Sequence, residues 1–355
     1  MSKHAARRAG RRWIADLAEM SPASFGLVMA TGIVSLAAFM MDHQALAMAL
    51  FYLNIVQYGV LWLLYGLRAW HHPRRFFGDM VAHLTGPGYF TAVAGTGILA
   101  SQFIILQDNL AAGFVLWLVA VVLWIALTYT IFTAFTVKHD KPPLDRGING
   151  SWLLAVVATQ ALAVSSALLA ARIGQPQRLE LNLLAVAMWL LGGMLYIWMM
   201  SLIFYRYAFF RFSADDLTPP YWIDMGAMAI SALAGSLLIE GAPEAPFLAS
   251  LLPFIKGFTI FYWVTGSWWI PMLVLLELWR HGYERFPLQY NPLYWGMVFP
   301  LGMYAACTWQ MDRAMSFEFL DGLPRAVLYV ALAAWALTFF GMVRKIMRGR
   351  GAPPA

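Results

Sequence analysis

The sequence predicts an all-α integral membrane protein: ten transmembrane helices, paired as five quasi-repeated hairpins around a central pore, with the N- and C-termini both cytoplasmic. Three observations carry this. Of the 355 residues, 61% are hydrophobic and 12% charged, against about 25% charged in soluble domains. Ten apolar runs lie at 21–41, 45–67, 87–107, 110–136, 150–171, 181–205, 222–239, 257–279, 292–311 and 323–343, each near the roughly 20 residues that cross a bilayer. The odd-numbered runs also share an internal repeat whose lead aromatic residues stand 65, 62, 70 and 73 residues apart, about one helical hairpin with its loops.

Charge placement sets the orientation. With the N-terminus inside, the cytoplasmic segments hold 19 of the Lys and Arg residues and the outside loops only Arg172, Arg178, Lys256, Arg313 and Arg325. That asymmetry obeys the positive-inside rule and predicts a multi-pass protein of the cytoplasmic (inner) membrane. It also accounts for the net charge of +6 without a nucleic-acid partner; the expected surroundings are the lipid bilayer.

Residues 1–20 read as a basic amphipathic segment. After Arg12 the chain runs WIADLAEM, which suits an interfacial helix leading into a retained first span rather than a cleaved signal. Residues 21–345 form the membrane domain, and 346–355 a short basic tail. Within the membrane domain each odd run opens with a helix breaker, then an aromatic ring, then a small residue seven positions on. The pairs are Phe25 and Gly32, Phe90 and Gly97, Trp152 and Thr159, Trp222 and Ala229, Trp295 and Gly302. With Thr31, Thr96, Gln160 and Ser231, these residues predict a pore wall of small and hydroxyl side chains, close packing being the alternative use of small residues. The even runs are rich in Leu, Trp and other large apolar residues and suit an outer layer facing lipid.

The ninth run, NPLYWGMVFPLGMYAA, holds Pro300 after Phe299. An interior proline removes a backbone hydrogen bond and crowds the preceding turn, and irregular backbone at membrane depth is tolerated where it lines a cavity. A bend at Phe299-Pro300, with the ring at the bend, is the expectation. Charged candidates are few: Asp224 at the start of run seven, as a helix cap or conduction residue, and Lys256 ahead of run eight, snorkelling or lining an outer mouth. Glu277 is expected to pair with Arg280, three residues on. The single cysteine, Cys307, leaves no intrachain disulfide and suits a buried apolar role.

A conduit without fixed negative charge favours anions, held by hydroxyls, freed backbone amides and ring edges. It also lacks a side-chain proton relay, which points to a channel or facilitator; coupled protons would travel on a weak-acid substrate. An enzyme would need a nucleophile with its base or clustered metal ligands. No HExxH, paired aspartates or Ser-His pairing occurs at membrane depth, so no catalytic residue, metal or cofactor is expected.

The segments FGLVMATGIVS, PGYFTAVAGTGILA, NGSWLLAVVATQALA, YWIDMGAMAISALAG, FYWVTGSWWIPMLVLLELWRH and YWGMVFPLGMYAACT together resemble the tellurite-resistance/dicarboxylate transporter family. That family includes bacterial tellurite-resistance proteins, fungal malate permeases and sulfite efflux pumps, and plant slow anion channels. The resemblance runs through nearly all of 20–345. It implies five hairpins with an inner ring of odd helices, often a homotrimer, and C4-dicarboxylates or sulfite as substrates. In its channel members a phenylalanine on the ninth helix plugs the pore, and the matching position here is Phe299. A pH-dependent carrier of protonated weak acids, or a tellurite-resistance efflux protein, is the alternative the resemblance leaves open.

Overall fold

Helix breakers and short 3-10 turns set where the inner helices begin. In the computed structural model, which describes residues 17–351, the long helices are α1 Gly26–Met40, α2 Gln44–His71, α3 Phe90–Gln107, α4 Leu110–Val137 and α5 Leu154–Ala170. They continue as α6 Gln177–Phe209, α7 Ile223–Gly241, α8 Pro246–Glu277, α9 Trp295–Met315 and α10 Gly322–Gly351. A 3-10 turn precedes each of α3, α5, α7 and α9: Gly86–Tyr89, Gly150–Leu153, Pro219–Trp222 and Pro292–Tyr294. Most of the predicted N-terminal segment lies outside the described residues.

Among the described residues eight helices are long and apolar enough to cross a bilayer; α1 is a shorter apolar helix, and α9 is not among the eight. The odd helices form a closed inner ring in which α1 packs on α3, α3 on α5, α5 on α7, α7 on α9 and α9 back on α1. Every even helix packs on the odd helix of its own hairpin and on the next odd helix round the ring. Burial follows this two-layer plan. The membrane-length windows of α3, α5 and α7 are 83%, 94% and 94% buried, whereas those of α2, α4, α6, α8 and α10 are 11–44% buried. The bulky even helices therefore turn Leu, Val and Trp outward, an apolar surface that would be untenable in water.

Small residues let the inner ring close. A Cβ at Gly97 would sit 3.2 Å from Ala161 on α5, one at Gly226 2.7 Å from the Pro300 ring on α9, and one at Gly302 3.1 Å from Ile33 on α1. Larger side chains at these seams would overpack a core that has no slack.

Arginines at the ends of outer helices tie down the turns that follow. Arg68, at the end of α2, pairs with Asp79 and donates to Tyr89 Oη at 3.3 Å. Arg206, at the end of α6, pairs with Asp216 at 2.8 Å, donates to the Ile148 carbonyl at 2.9 Å and bonds Tyr221 Oη. Both guanidinium groups are buried. Burial works against the Asp216 charge, but hydrogen bonds from Ser213 and the Arg206 guanidinium hold its pKa below the usual 3.8. Arg280, after α8, lies 4.3 Å from the Phe286 ring centroid. Glu277 is not its partner: that carboxylate accepts from Trp222 Nε1 at 3.1 Å and faces His281 Nε2 at 3.3 Å.

Several boundaries differ from the sequence reading. Helix α8 begins at Pro246, eleven residues before the predicted run at 257, because Pro246 suits a first helical turn and Pro253 is tolerated inside a continuous helix. Lys256 is thus within α8 rather than ahead of it. Helix α10 continues to Gly351, through residues expected to be tail. Helix α9 runs unbroken across Pro300; the ring of Pro300 lies over Gly226, which has no side chain to obstruct it.

Candidate functional site

Two cavities lie on the axis of the inner ring, each lined by residues of all five odd helices. The lower one sits where those helices begin. Gly26 and Met29 come from α1, Thr91 from α3, Leu154 from α5, Ile223 from α7, and Trp295, Gly296 and Phe299 from α9. Its volume is about 20 Å³, room for about one water molecule. The upper one, about 380 Å³, lies at the far ends and is lined by Ile33, Ser101, Val164, Leu233, Glu240, Trp309 and Arg313 among others.

The barrier between them is short and uncharged. On α3, α5, α7 and α9 it is bracketed by Thr91 and Ser101, Leu154 and Val164, Ile223 and Leu233, Phe299 and Trp309, each pair ten residues apart, or about 15 Å of helix, and on α1 by Met29 and Ile33, four residues apart, or about 6 Å. Phe299 and Met29 are the deepest lower-cavity residues on their helices, one turn beyond Trp295 and Gly26, and both are fully buried. Pro300 has no N–H to offer the carbonyl of Gly296, a residue of the lower cavity wall. The first turns of all five inner helices converge on this cavity, so their positive dipole ends face one small volume.

The hydroxyls expected to line a conduit lie elsewhere. Thr31 accepts from Trp335 Nε1 of α10 at 3.0 Å, and Thr159 accepts from Trp124 Nε1 of α4 at 2.8 Å. Thr308 accepts from Trp263 Nε1 of α8 at 2.9 Å, and Thr96 is 3.0 Å from Tyr58 Oη of α2. On α7 the Ser231 carbonyl takes this part, accepting from Trp189 Nε1 of α6 at 2.9 Å. The same outer-to-inner bond thus recurs at all five positions of the ring. Thr96 and Thr159 also donate to carbonyls one turn back, Ala92 and Ala155, so the hydroxyl proton and one lone pair of each are used within the protein. Gln160 likewise donates to the Trp189 carbonyl at 3.0 Å.

The repeated aromatic rings also face the outer layer. Phe25 meets Tyr58, Trp62 and Tyr65 of α2 edge-on at 5.0–5.9 Å, Phe90 lies 5.9 Å from Phe132, and Trp152 lies 5.2 Å from Phe135. Trp222 reaches Glu277. Of this group Trp295 alone lines the lower cavity, while packing on Trp335 at 6.4 Å. Gly32, Gly97 and Gly302 close seams between helices, and Ala229 backs onto Gly266 of α8.

Asp224 is buried on α7 but turned to α6, accepting from Tyr207 Oη at 2.9 Å; it caps no helix end and lines neither axial cavity. Lys256, half-buried on α8, lines neither. Cys307 is buried, its Sγ toward the Tyr304 carbonyl. Outside the membrane, His83 stacks on Phe135 at 4.3 Å; burial, then Lys138 and Lys141, lower its pKa below 6.5. Among the described residues no group of three or more His, Cys, Asp or Glu could hold a metal ion. Residues missed in the sequence include Met29 and Ile33, which carry no polar signal, and Arg313 and Glu240 at the upper cavity.

A membrane protein of Mycobacterium tuberculosis described only as uncharacterized is 36% identical over 152 residues, 43% of this chain and 77% of its own. An uncharacterized transporter of Methanocaldococcus jannaschii is 22% identical over 330 residues, covering 92% of this chain and 94% of its own. A sulfite efflux pump of Trichophyton rubrum is 26% identical over 349 residues, covering 92% and 90%. Residues 19–343 match the voltage-dependent anion channel (SLAC1) family, the same tellurite-resistance/dicarboxylate transporter group that the segment motifs resemble, and the chain belongs to it.

Proposed function

We propose that this protein carries small anions across the cytoplasmic membrane along the axis of its inner ring, with Phe299 as the gate and Pro300 fixing its position. All ten long helices cross the bilayer in this reading, with the basic, lower end in the cytoplasm and three copies assembling side by side. The observation that carries it is the pair of axial cavities, lined by all five inner helices and separated by a barrier whose lower edge is the Phe299 ring. Five converging helix starts favour an anion at the lower mouth. The upper mouth carries Arg313 together with the carboxylates Asp42 and Glu240, so the preference for an anion rests on the lower one.

Sulfite is the substrate suggested by the fungal relatives, and C4-dicarboxylates such as malate or succinate are the second candidate class. Carriage of the protonated weak acid is the alternative. It is favoured by a barrier without a carboxylate on the axis, Asp224 of α7 being bound to Tyr207 on the outer side. Phe299→Ala should raise anion flux in proteoliposomes by about tenfold, the equivalent of about 1.4 kcal/mol off the barrier. Unchanged flux at equal protein content removes Phe299 from the gate.

A further inference from the structure

We propose that the crevice between α1, α2 and α10 at the lower end of the ring holds an anionic phospholipid, one acyl chain in the crevice and the phosphate on the basic end of α10. The crevice has a volume of about 440 Å³, and its walls include Leu27, Leu61, Trp295, Met342 and Ile346. It opens between two outer helices, where water would meet apolar walls and a hydrocarbon chain would not. Lys345 lines its rim. Arg344, Lys345 and Arg348 are exposed on the last described turns of α10, and none is ion-paired among the described residues.

Lys345 is placed rather than loose. Its Nζ lies 5.8 Å from the centroid of the Tyr290 ring, and that ring is seated so closely on α10 that a Cβ at Gly341 would come within 3.0 Å of it. An apolar slot with a positioned lysine at its rim, and two further arginines exposed on the same helix end, is complementary to a phospholipid of net negative charge. Trp295 and Pro292 line both this crevice and the lower axial cavity. The lipid tail therefore sits one indole away from the mouth, and Phe299 is one turn further along the same helix.

Only the link to the mouth rests on the proposed transport role; the binding test does not. The full-length protein, purified and exposed to equal amounts of phosphatidylglycerol and phosphatidylcholine, is followed by native mass spectrometry. A photoactivatable phosphatidylglycerol then maps the contact. Retention of phosphatidylglycerol over phosphatidylcholine by about tenfold is expected, with label on the peptides bearing Leu61 and Met342. The triple change Arg344→Gln, Lys345→Gln, Arg348→Gln should bring retention down to the phosphatidylcholine level. Leu27→Trp, which fills the crevice and leaves the charges in place, should remove the label. Equal retention of both lipids, label elsewhere, or displacement by inorganic phosphate overturns the proposal. So does a cross-link between copies through Leu61→Cys and Met342→Cys, which would show that a second copy covers the crevice.

Discussion

At the scale of single residues, the threonines of the inner ring show how chemistry and position part company. Thr31, Thr96, Thr159 and Thr308 look like the polar wall of a conduit, yet each meets an indole N–H or a phenol of an outer helix. Hydrogen bonds between membrane helices contribute about 0.6 kcal/mol on average, about 1.7 at most. Thr159→Val keeps the shape and removes the bond to Trp124, so it should lower stability by about that amount and leave anion flux unchanged. Thermal unfolding read beside flux checks both halves. A changed flux with unchanged stability would put the hydroxyl on the pathway. Such a threonine can be found in the sequence, but its direction cannot, because the partner tryptophan lies on another helix 35 to 304 residues away.

Individual elements are held in place at their ends. The outer helices α2 and α6 each finish on a buried arginine that reaches forward to a carboxylate and to the tyrosine of the next 3-10 turn. The turn in question starts the next inner helix, so the arginine fixes where α3 or α7 enters the ring. Removing one partner of a fully buried pair costs about 3–5 kcal/mol. Asp216 keeps 35% exposure, so Arg206→Gln should cost less, roughly 2 kcal/mol. Because the Asp216 pKa lies below 3.8 in the folded protein, the stabilisation is complete above that pH and lost as pH falls through the lower value. The gap in unfolding temperature between wild type and Arg206→Gln should therefore narrow below about pH 4. A gap independent of pH would mean that the arginine acts through its bonds to Ile148 and Tyr221 and its packing on the Phe212 ring, 5.4 Å away, rather than through Asp216. In the sequence these arginines count only as cytoplasmic charge, since burial of a guanidinium depends on what folds over it.

For the whole molecule, the decisive property in the proposed transport reading is the uncharged barrier between the two axial cavities. An ion crossing it sheds part of its hydration, and the cost grows steeply with charge. Monovalent anions should outrun dianions of similar size, and weak-acid substrates should move faster as acid converts dianion to monoanion. Nitrate, which does not titrate, should cross at a rate independent of pH between about 5 and 8, where an unperturbed histidine would change charge. Flux of nitrate, sulfite and malate into proteoliposomes at two pH values distinguishes these cases. A nitrate flux that titrates would place an ionisable group on the path.

The sequence by itself determined the membrane class, the positions of most spans and the five-fold hairpin repeat. These follow from local composition and spacing, and they survive in any arrangement of the helices. It also singled out Phe299, through the proline after it, and Trp295, through the aromatic repeat that all five inner helices share. Only the tertiary structure decided which side of each inner helix meets the axis. Those helices are apolar and small all round, so no periodicity distinguishes the face toward the axis from the face toward the outer layer. What sets the rotation is contact at a distance: an indole to a threonine, a proline over a glycine, an arginine folded under a later turn.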